Sequence, residues 1–95
     1  MKVVYSRAAR ADLDNIWLYV ARDSPSAADR LIDQLVDTAK PLEAFPLMGV
    51  ARPELAADLR ALRMGYYIIF YRPRGRDVRV ERVLHARMDI TPDYF

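Results

Sequence analysis

Two apolar stripes near the N-terminus constrain this chain more than any other feature. In "SRAARADLDNIWLYVARD" (6–23), Ala9, Leu13, Ile16, Trp17 and Val20 recur at steps of 4, 3, 1 and 3. That is one face of an amphipathic helix. In "SPSAADRLIDQLVDTAKPL" (24–42), Ala28, Leu31, Ile32, Leu35, Val36, Ala39 and Leu42 make a second stripe. Ser6 and Ser24 stand where N-caps belong, and Pro25 suits a first helical position, where its missing N–H would have no partner anyway. About three residues separate the stripes, so the helices must run antiparallel as a hairpin. Pro41 interrupts the second stripe. Leu42 and Phe45 continue its spacing, so a kink near the helix end is expected rather than a stop.

The hairpin needs a surface to cover, and the flanking sequence supplies a sheet. "KVVY" (2–5) is short, β-branched and aromatic, as a strand should be. "FPLMGVARPEL" (45–55) reads as a loop, punctuated by two prolines and Gly49. Three strands follow: "LRALRM" (59–64), "YYIIFYR" (66–72) and "DVRVERVLH" (77–85), the last two joined by the turn "PRGR" (73–76). The middle strand is apolar almost throughout, as a strand buried on both faces would be. In the last one, Val78 and Val80 alternate well, but Val83 falls on the opposite face. A bulge near Arg82 or burial of both faces would account for that. The order β-α-α-β-β-β implies a two-layer α+β domain, with the helical hairpin packed on a small antiparallel sheet.

At 95 residues, the chain reads as one domain, residues 1–95. A fold of this size buries roughly 60–65% of its unfolded surface, enough for one modest core. There is no cysteine, which excludes a disulfide framework and a cysteine-rich zinc site. With one histidine and scattered acids, a metal site is poorly supported, and no Gly-rich phosphate loop suggests a cofactor. No apolar run reaches membrane-spanning length, and the N-terminus meets charge too early for a signal peptide, so a cytoplasmic protein is expected. Charge is uneven. Residues 1–59 carry seven basic and nine acidic side chains, whereas residues 60–95 carry eight arginines against four acids. The C-terminal third is thus the better face for an acidic protein or a nucleic acid, although short strands also need solvated charges.

Several segments in this order carry a resemblance. "YSRAARADLDNIWLYVA", "SPSAADRLIDQL", "FPLMGVARPEL", "LRALRMGYYIIFYR" and "VRVERVLHARMD" resemble the successive elements of the RelE/ParE toxin superfamily, and its ParE branch most closely. Each segment is weak alone; their order and spacing are fairly specific. The resemblance implies a toxin of a type II toxin–antitoxin pair. ParE-like members are associated with inhibition of DNA gyrase, whereas RelE-like members resemble ribosome-dependent mRNA endoribonucleases. It also implies a ParD-like antitoxin as partner, with operator contact made through the antitoxin rather than through sequence-specific DNA binding by this chain.

The residues can be weighed for each activity. Metal-free RNA cleavage needs a base, an acid and phosphate-holding cations. The chain offers His85, its only histidine, with Arg60 and Arg63, supplemented by Arg82, Arg87, Glu54 and Glu81. A gyrase inhibitor needs only a binding surface. Arg79, Arg82, His85, Arg87 and Met88 form its expected core, with Tyr94 and Phe95 at the tail. Those last two aromatics either fold back on the sheet or await a partner. For the antitoxin, Leu13, Trp17, Tyr19 and Leu35 are the candidate groove residues, although most of them, Trp17 included, are expected to face the protein's own sheet instead. Arg60, Arg63 and Arg79 would pair with antitoxin acids. The tyrosines at 66, 67 and 71 are expected mainly in the core. The gyrase-binding reading is favoured, and "RVLHARMD" is expected to close a strand and begin a binding tail.

Overall fold

The computed structural model describes residues 1–95. Strand β1 (Lys2–Tyr5) leads into helix α1 (Arg7–Ala21), and helix α2 (Pro25–Ala39) returns antiparallel to it. Both caps are as expected: Ser6 Oγ accepts from the Ala9 N–H at 2.9 Å, and Ser24 Oγ from the Ala27 N–H at 3.2 Å. Each such cap stabilises its helix by about 1 kcal/mol. Pro41 does not kink α2. The helix ends at Ala39 and tightens into a 3-10 turn, Lys40–Glu43, whose narrower hydrogen bonding tolerates a proline near its start. The apolar spacing survives as far as Leu42, which is fully buried, but Phe45 is two-thirds exposed.

The remaining strands are β2 (Val50–Ala51), β3 (Arg60–Met64), β4 (Tyr67–Arg74) and β5 (Asp77–His85). They form one sheet in the order β1-β5-β4-β3-β2. Strands β3, β4 and β5 are the expected antiparallel meander. The sheet as a whole is mixed, because β1 lies parallel to β5, with Val3 opposite Val78 and Tyr5 opposite Val80. The two-residue edge strand β2 falls within the segment expected to be loop. The β4–β5 turn is tighter than expected, since β4 runs on through Arg74 and reverses over Gly75 and Arg76.

Register in β5 slips once. Phe70 pairs with Arg82 and Tyr71 with Val80, leaving Glu81 as the extra residue of a bulge. The bulge restores the face of Val83, so that Val78, Val80 and Val83 all meet the helices. On that face Ala9, Leu35, Ala39, Leu42, Ile69 and Tyr71 complete the main core. The opposite face is half covered. There Leu55, Leu59, Phe70 and Leu84 pack beneath the 52–59 segment and the C-terminal tail, with Ile90, Tyr94 and Phe95 against them. No helix is long and apolar enough to cross a membrane.

Candidate interaction cleft

Strand β1 stops at Tyr5, opposite Val80, so the edge of β5 beyond that point has no strand partner. Helix α1 takes its place. Ser6 Oγ donates to the Glu81 carbonyl at 2.8 Å, and Asp12 Oδ2 accepts the Val83 N–H at 2.9 Å. The same carboxylate grips Arg82 in a two-point fork, at 2.8 Å to Nε and 2.7 Å to Nη2. The guanidinium also lies 5.3 Å from the centre of the Tyr94 ring and donates to the Tyr94 carbonyl at 3.4 Å. The hydrogen bonds Arg82 donates to Asp12, opposed by partial burial, raise the Arg82 pKa above its ordinary value. Arg82 therefore fastens α1 to β5 and the tail. It is not the free surface cation that the sequence suggested.

Beyond Arg82, α1 and the end of β5 diverge to leave a cleft of about 440 Å³. Asn15, Ile16, Tyr19, Tyr67, His85, Arg87 and Met88 line it with Asp12 and Arg82. His85 is held from three sides. It stacks parallel to Tyr66 with centroids 6.0 Å apart and meets Tyr67 edge-on at 5.2 Å. Its Nδ1 accepts the Arg87 N–H at 3.1 Å, which leaves Nε2 as the protonated nitrogen of the neutral ring. Tyr19 stands 68% exposed at the rim, with Arg22 over its ring. Tyr66 is 66% exposed.

The cleft gathers Tyr19, Arg82, His85, Arg87 and Met88 from two residue sets that the sequence kept apart. Asp12, Asn15, Tyr66 and Tyr67 were missed as its neighbours. Asp12 carried no usable signal, because its partner lies 70 residues away. Tyr66 was expected in the core. It lies instead just before β4, where its ring is outside; Tyr71 is the core tyrosine of this group.

The other expected residues are distributed elsewhere. Leu35 is 2% exposed and belongs to the core, so it cannot line a docking groove. Leu13 is packed against the same core. Trp17 bridges the two helices, its Nε1 donating to Asp29 at 2.8 Å. Tyr94 and Phe95 fold back, with the Phe95 ring 5.0 Å from that of Phe70, and are not a free tail. Arg60 donates to the carbonyls of Leu47 and Gly49 at 3.1 and 2.9 Å and so anchors the loop before β2. Arg63 donates to Gly65 O. Arg79 pairs with Glu81 at 2.9 Å, and Glu54 with Arg52.

Arg60, Arg63 and His85 do not converge. Arg60 and Arg63 are an odd number of residues apart on β3 and project from opposite faces. By register His85 lies beside Tyr67, which pairs with Met64, so it sits at the far end of β3 from Arg60 and two strands across. Strand geometry puts the two Cα positions roughly 16 Å apart.

Comparison with known proteins follows the same division between fold and site. The family described as the ParE toxin of the type II toxin–antitoxin system, parDE, matches residues 3–90. The chain belongs to the ParE toxin family. Toxin ParE1 of Caulobacter vibrioides is 36% identical over 91 residues, covering 88% of each chain. Toxin ParE3 of the same organism is 28% identical, covering 94% of this chain and 90% of its own. Among solved structures, a chromosomal ParDE system from P. aeruginosa superposes with a TM-score of 0.77 at 27% identity, covering 92% of this chain and 97% of that one. The RelBE2 toxin–antitoxin complex of Mycobacterium tuberculosis gives 0.66 at 28% identity, covering 88% and 95%. The ParE-like β-α-α-β-β-β order expected from the sequence is thus the order of a shared fold. ParE and RelE proteins share it, so the fold does not choose between their activities.

Proposed function

We propose that this ParE family member is a cytoplasmic toxin that inhibits DNA gyrase by binding, and that a cognate ParD-like antitoxin neutralises it. One observation carries the binding reading. The cleft beside β5 exposes Tyr19, Arg87 and Met88 around His85, with Tyr66 exposed beside it on the His85 ring, and aromatic, arginine and methionine side chains are the usual anchors of protein interfaces. A partner inserting an apolar or aromatic residue there would meet preformed walls, with little ordering cost on the toxin's side.

The antitoxin has a second apolar surface to cover. Phe45, Leu47 and Met48 in the loop after α2 and Val50 at the start of β2 are 66%, 63%, 51% and 70% exposed. Exposed apolar groups in such a run mark interaction sites. The solved relatives from P. aeruginosa and M. tuberculosis are toxin–antitoxin systems, which supports an antitoxin as the occupant. An antitoxin segment that orders on the toxin must bury enough area to offset its lost freedom, and this loop provides part of it.

The test adds antitoxin-free protein to gyrase supercoiling of plasmid DNA and, in parallel, to mRNA on translating ribosomes. Blocked supercoiling with intact mRNA, reversed by antitoxin, is the expected result. Cut mRNA with normal supercoiling would sink the proposal and return attention to the ribonuclease alternative.

A further inference from the structure

One region of the sheet lies outside both the cleft and the core. On the face opposite the helices, the tail and the 52–59 segment cover only the half of the sheet around Phe70 and Leu84. The other half, toward the β4–β5 turn, lies outside that cover, and Lys2, Arg74, Arg76 and Arg79 are exposed there, whereas Arg72 and Glu81 are largely enclosed. Alternation fixes what points out of it. Tyr71, Val78 and Val80 face the helices, so Arg72, Arg74 and Arg79 face the opposite way. On β1, Val3 and Tyr5 face the helices, so Lys2 and Val4 join them. Register sets these residues in two rows: Val4–Arg79–Arg72, and Lys2–Asp77–Arg74. Arg76 adds a further cation at the turn. Lys2, Arg74 and Arg76 are exposed and have no ion-pair partner.

The row nearer the core holds an electrostatic imbalance. Arg72 and Arg79 are directly opposed across two antiparallel strands, an unfavourable arrangement for like charges. One carboxylate oxygen, Glu81 Oε1, sits 2.9 Å from Arg79 Nε and 4.0 Å from Arg72 Nε. Arg72 Nε is buried without a hydrogen-bond partner. A single acid in the bulge thus serves two guanidiniums and satisfies neither fully.

We infer that this open sheet face binds the phosphodiester backbone of duplex DNA, without reading its sequence. Its exposed charges are cations, which outnumber the half-buried Asp77 between Lys2 and Arg74, and it has no exposed aromatic or large apolar anchor of the kind a protein interface needs. The rows are spaced about 6.8 Å along the strands and about 4.8 Å between them, so three strands present a basic strip roughly 10 Å wide. Ten ångströms of duplex carries about six phosphate charges. Arg72 is 13% exposed and lies beneath the surface, but Arg79 is half exposed, and its guanidinium fork suits phosphate geometry. The face is remote from the His85 end of β5, so DNA and a protein occupant of the cleft can be held together. The inference does not depend on the gyrase reading, and its test contains no gyrase.

The test measures anisotropy of a labelled 30-base-pair duplex with antitoxin-free toxin across a salt series. Three proteins are compared: the native chain, K2Q/R74Q/R76Q, and R7Q/R10Q/R30Q, which loses the same charge from the helices. The native chain is expected to bind with log K falling linearly in log salt, and the sheet-face variant to lose about 0.9 in slope for each phosphate contact removed. A tenfold or greater loss of affinity at low salt in that variant, with the helix variant near native, supports the site. Equal losses in the two variants would mean net charge alone, and overturn it. So would no binding by the native chain at low salt, or displacement of DNA by polyglutamate as effectively as by unlabelled duplex, which would assign the face to acidic polypeptides.

Discussion

Asp12 Oδ1 and Arg82 Nη2 lie 2.7 Å apart, across 70 residues of sequence, and the second oxygen of the same carboxylate accepts both Arg82 Nε and the Val83 N–H. One side chain thus replaces the missing strand at the edge of β5 and neutralises the cation beside it. Truncating either partner leaves the other short of bonds in a largely enclosed place. Asp12→Ala should lower unfolding free energy by about 1.5–3 kcal/mol, the range for hydrogen bonds to charged groups. Arg82→Ala should cost a similar amount, and the double variant less than the sum. Urea denaturation of the three proteins checks this; strict additivity would show that the pair is not coupled.

Gly49 is gripped in a comparable way. Its N–H donates to the Tyr71 hydroxyl at 2.8 Å, and its carbonyl accepts from Arg60. Burial raises the Tyr71 pKa, so the hydroxyl stays protonated at neutral pH. A Cβ at position 49 would stand 2.6 Å from that hydroxyl and 2.9 Å from the Ala61 carbonyl. Tyr71→Phe should cost about 1–3 kcal/mol by leaving the buried Gly49 N–H unpaired. Gly49→Ala should cost at least as much, because backbone on one side cannot yield. Thermal melts decide the order, and an unchanged melting temperature for Gly49→Ala would refute the close approach.

Glu43 ties the end of α2 to β1. Its Oε2 accepts the Val3 N–H at 3.3 Å, and its pKa is lowered, first by that bond and then by Lys40 and the N-terminus. A depressed carboxylate pKa adds stability that is present above the unfolded value and lost as pH falls through the folded one. Stability should therefore decline as pH falls below the ordinary glutamate range and this carboxylate takes up its proton. In Glu43→Gln the decline should be shallower. The effect is small, because water screens the carboxylate. Melts at pH 7 and pH 3 on both proteins measure it, and parallel curves would exclude Glu43 as a contributor.

Tyr19 separates binding from folding. Its side chain stands 68% exposed at the cleft rim, with the Arg22 guanidinium 5.6 Å from the ring centre. Tyr19→Ala should alter stability by no more than about 0.5 kcal/mol. If the cleft is the target surface, inhibition of supercoiling should fall roughly 30-fold, as for loss of an interface anchor near 2 kcal/mol. Full inhibition by this variant would move the target surface elsewhere.

The C-terminal aromatics should behave oppositely. Deleting Tyr94 and Phe95 uncovers Phe70 and Leu84 and should destabilise the fold by about 2–4 kcal/mol. Inhibition measured well below the melting temperature should persist. A folded truncated protein that no longer inhibits would restore the tail to the binding surface.

The helices, the late strands and their order were legible because each rests on local chemistry. Apolar spacing, two serine caps and a proline at a first helical position all agree over 6–42. Pairings between distant segments were not. The parallel placement of β1 beside β5 left no mark in either strand, since β-branched residues suit both senses of pairing. The slip at Val83 was visible as a broken alternation, and the bulge falls at Glu81, next to the expected position. For the site, residue type identified the right neighbourhood but not the roles. Nothing in "RVLHARMD" distinguishes Arg82, held by Asp12, from Arg87, which is exposed. Leu35 and Tyr66 were misplaced because a sequence stripe shows which residues are apolar, not which of them reach the core.

The pairing of β1 with β5 also has a temporal side. Lys2 lies opposite Asp77, and the last pair joins Tyr5 to Val80. During synthesis, at about 5–20 residues per second, the first strand waits roughly 4–15 s before its partner exists. The residues around His85 follow later still. A nascent chain thus carries β1 and both helices for seconds without a closed sheet edge or a finished cleft, and both form only after β5 has been made.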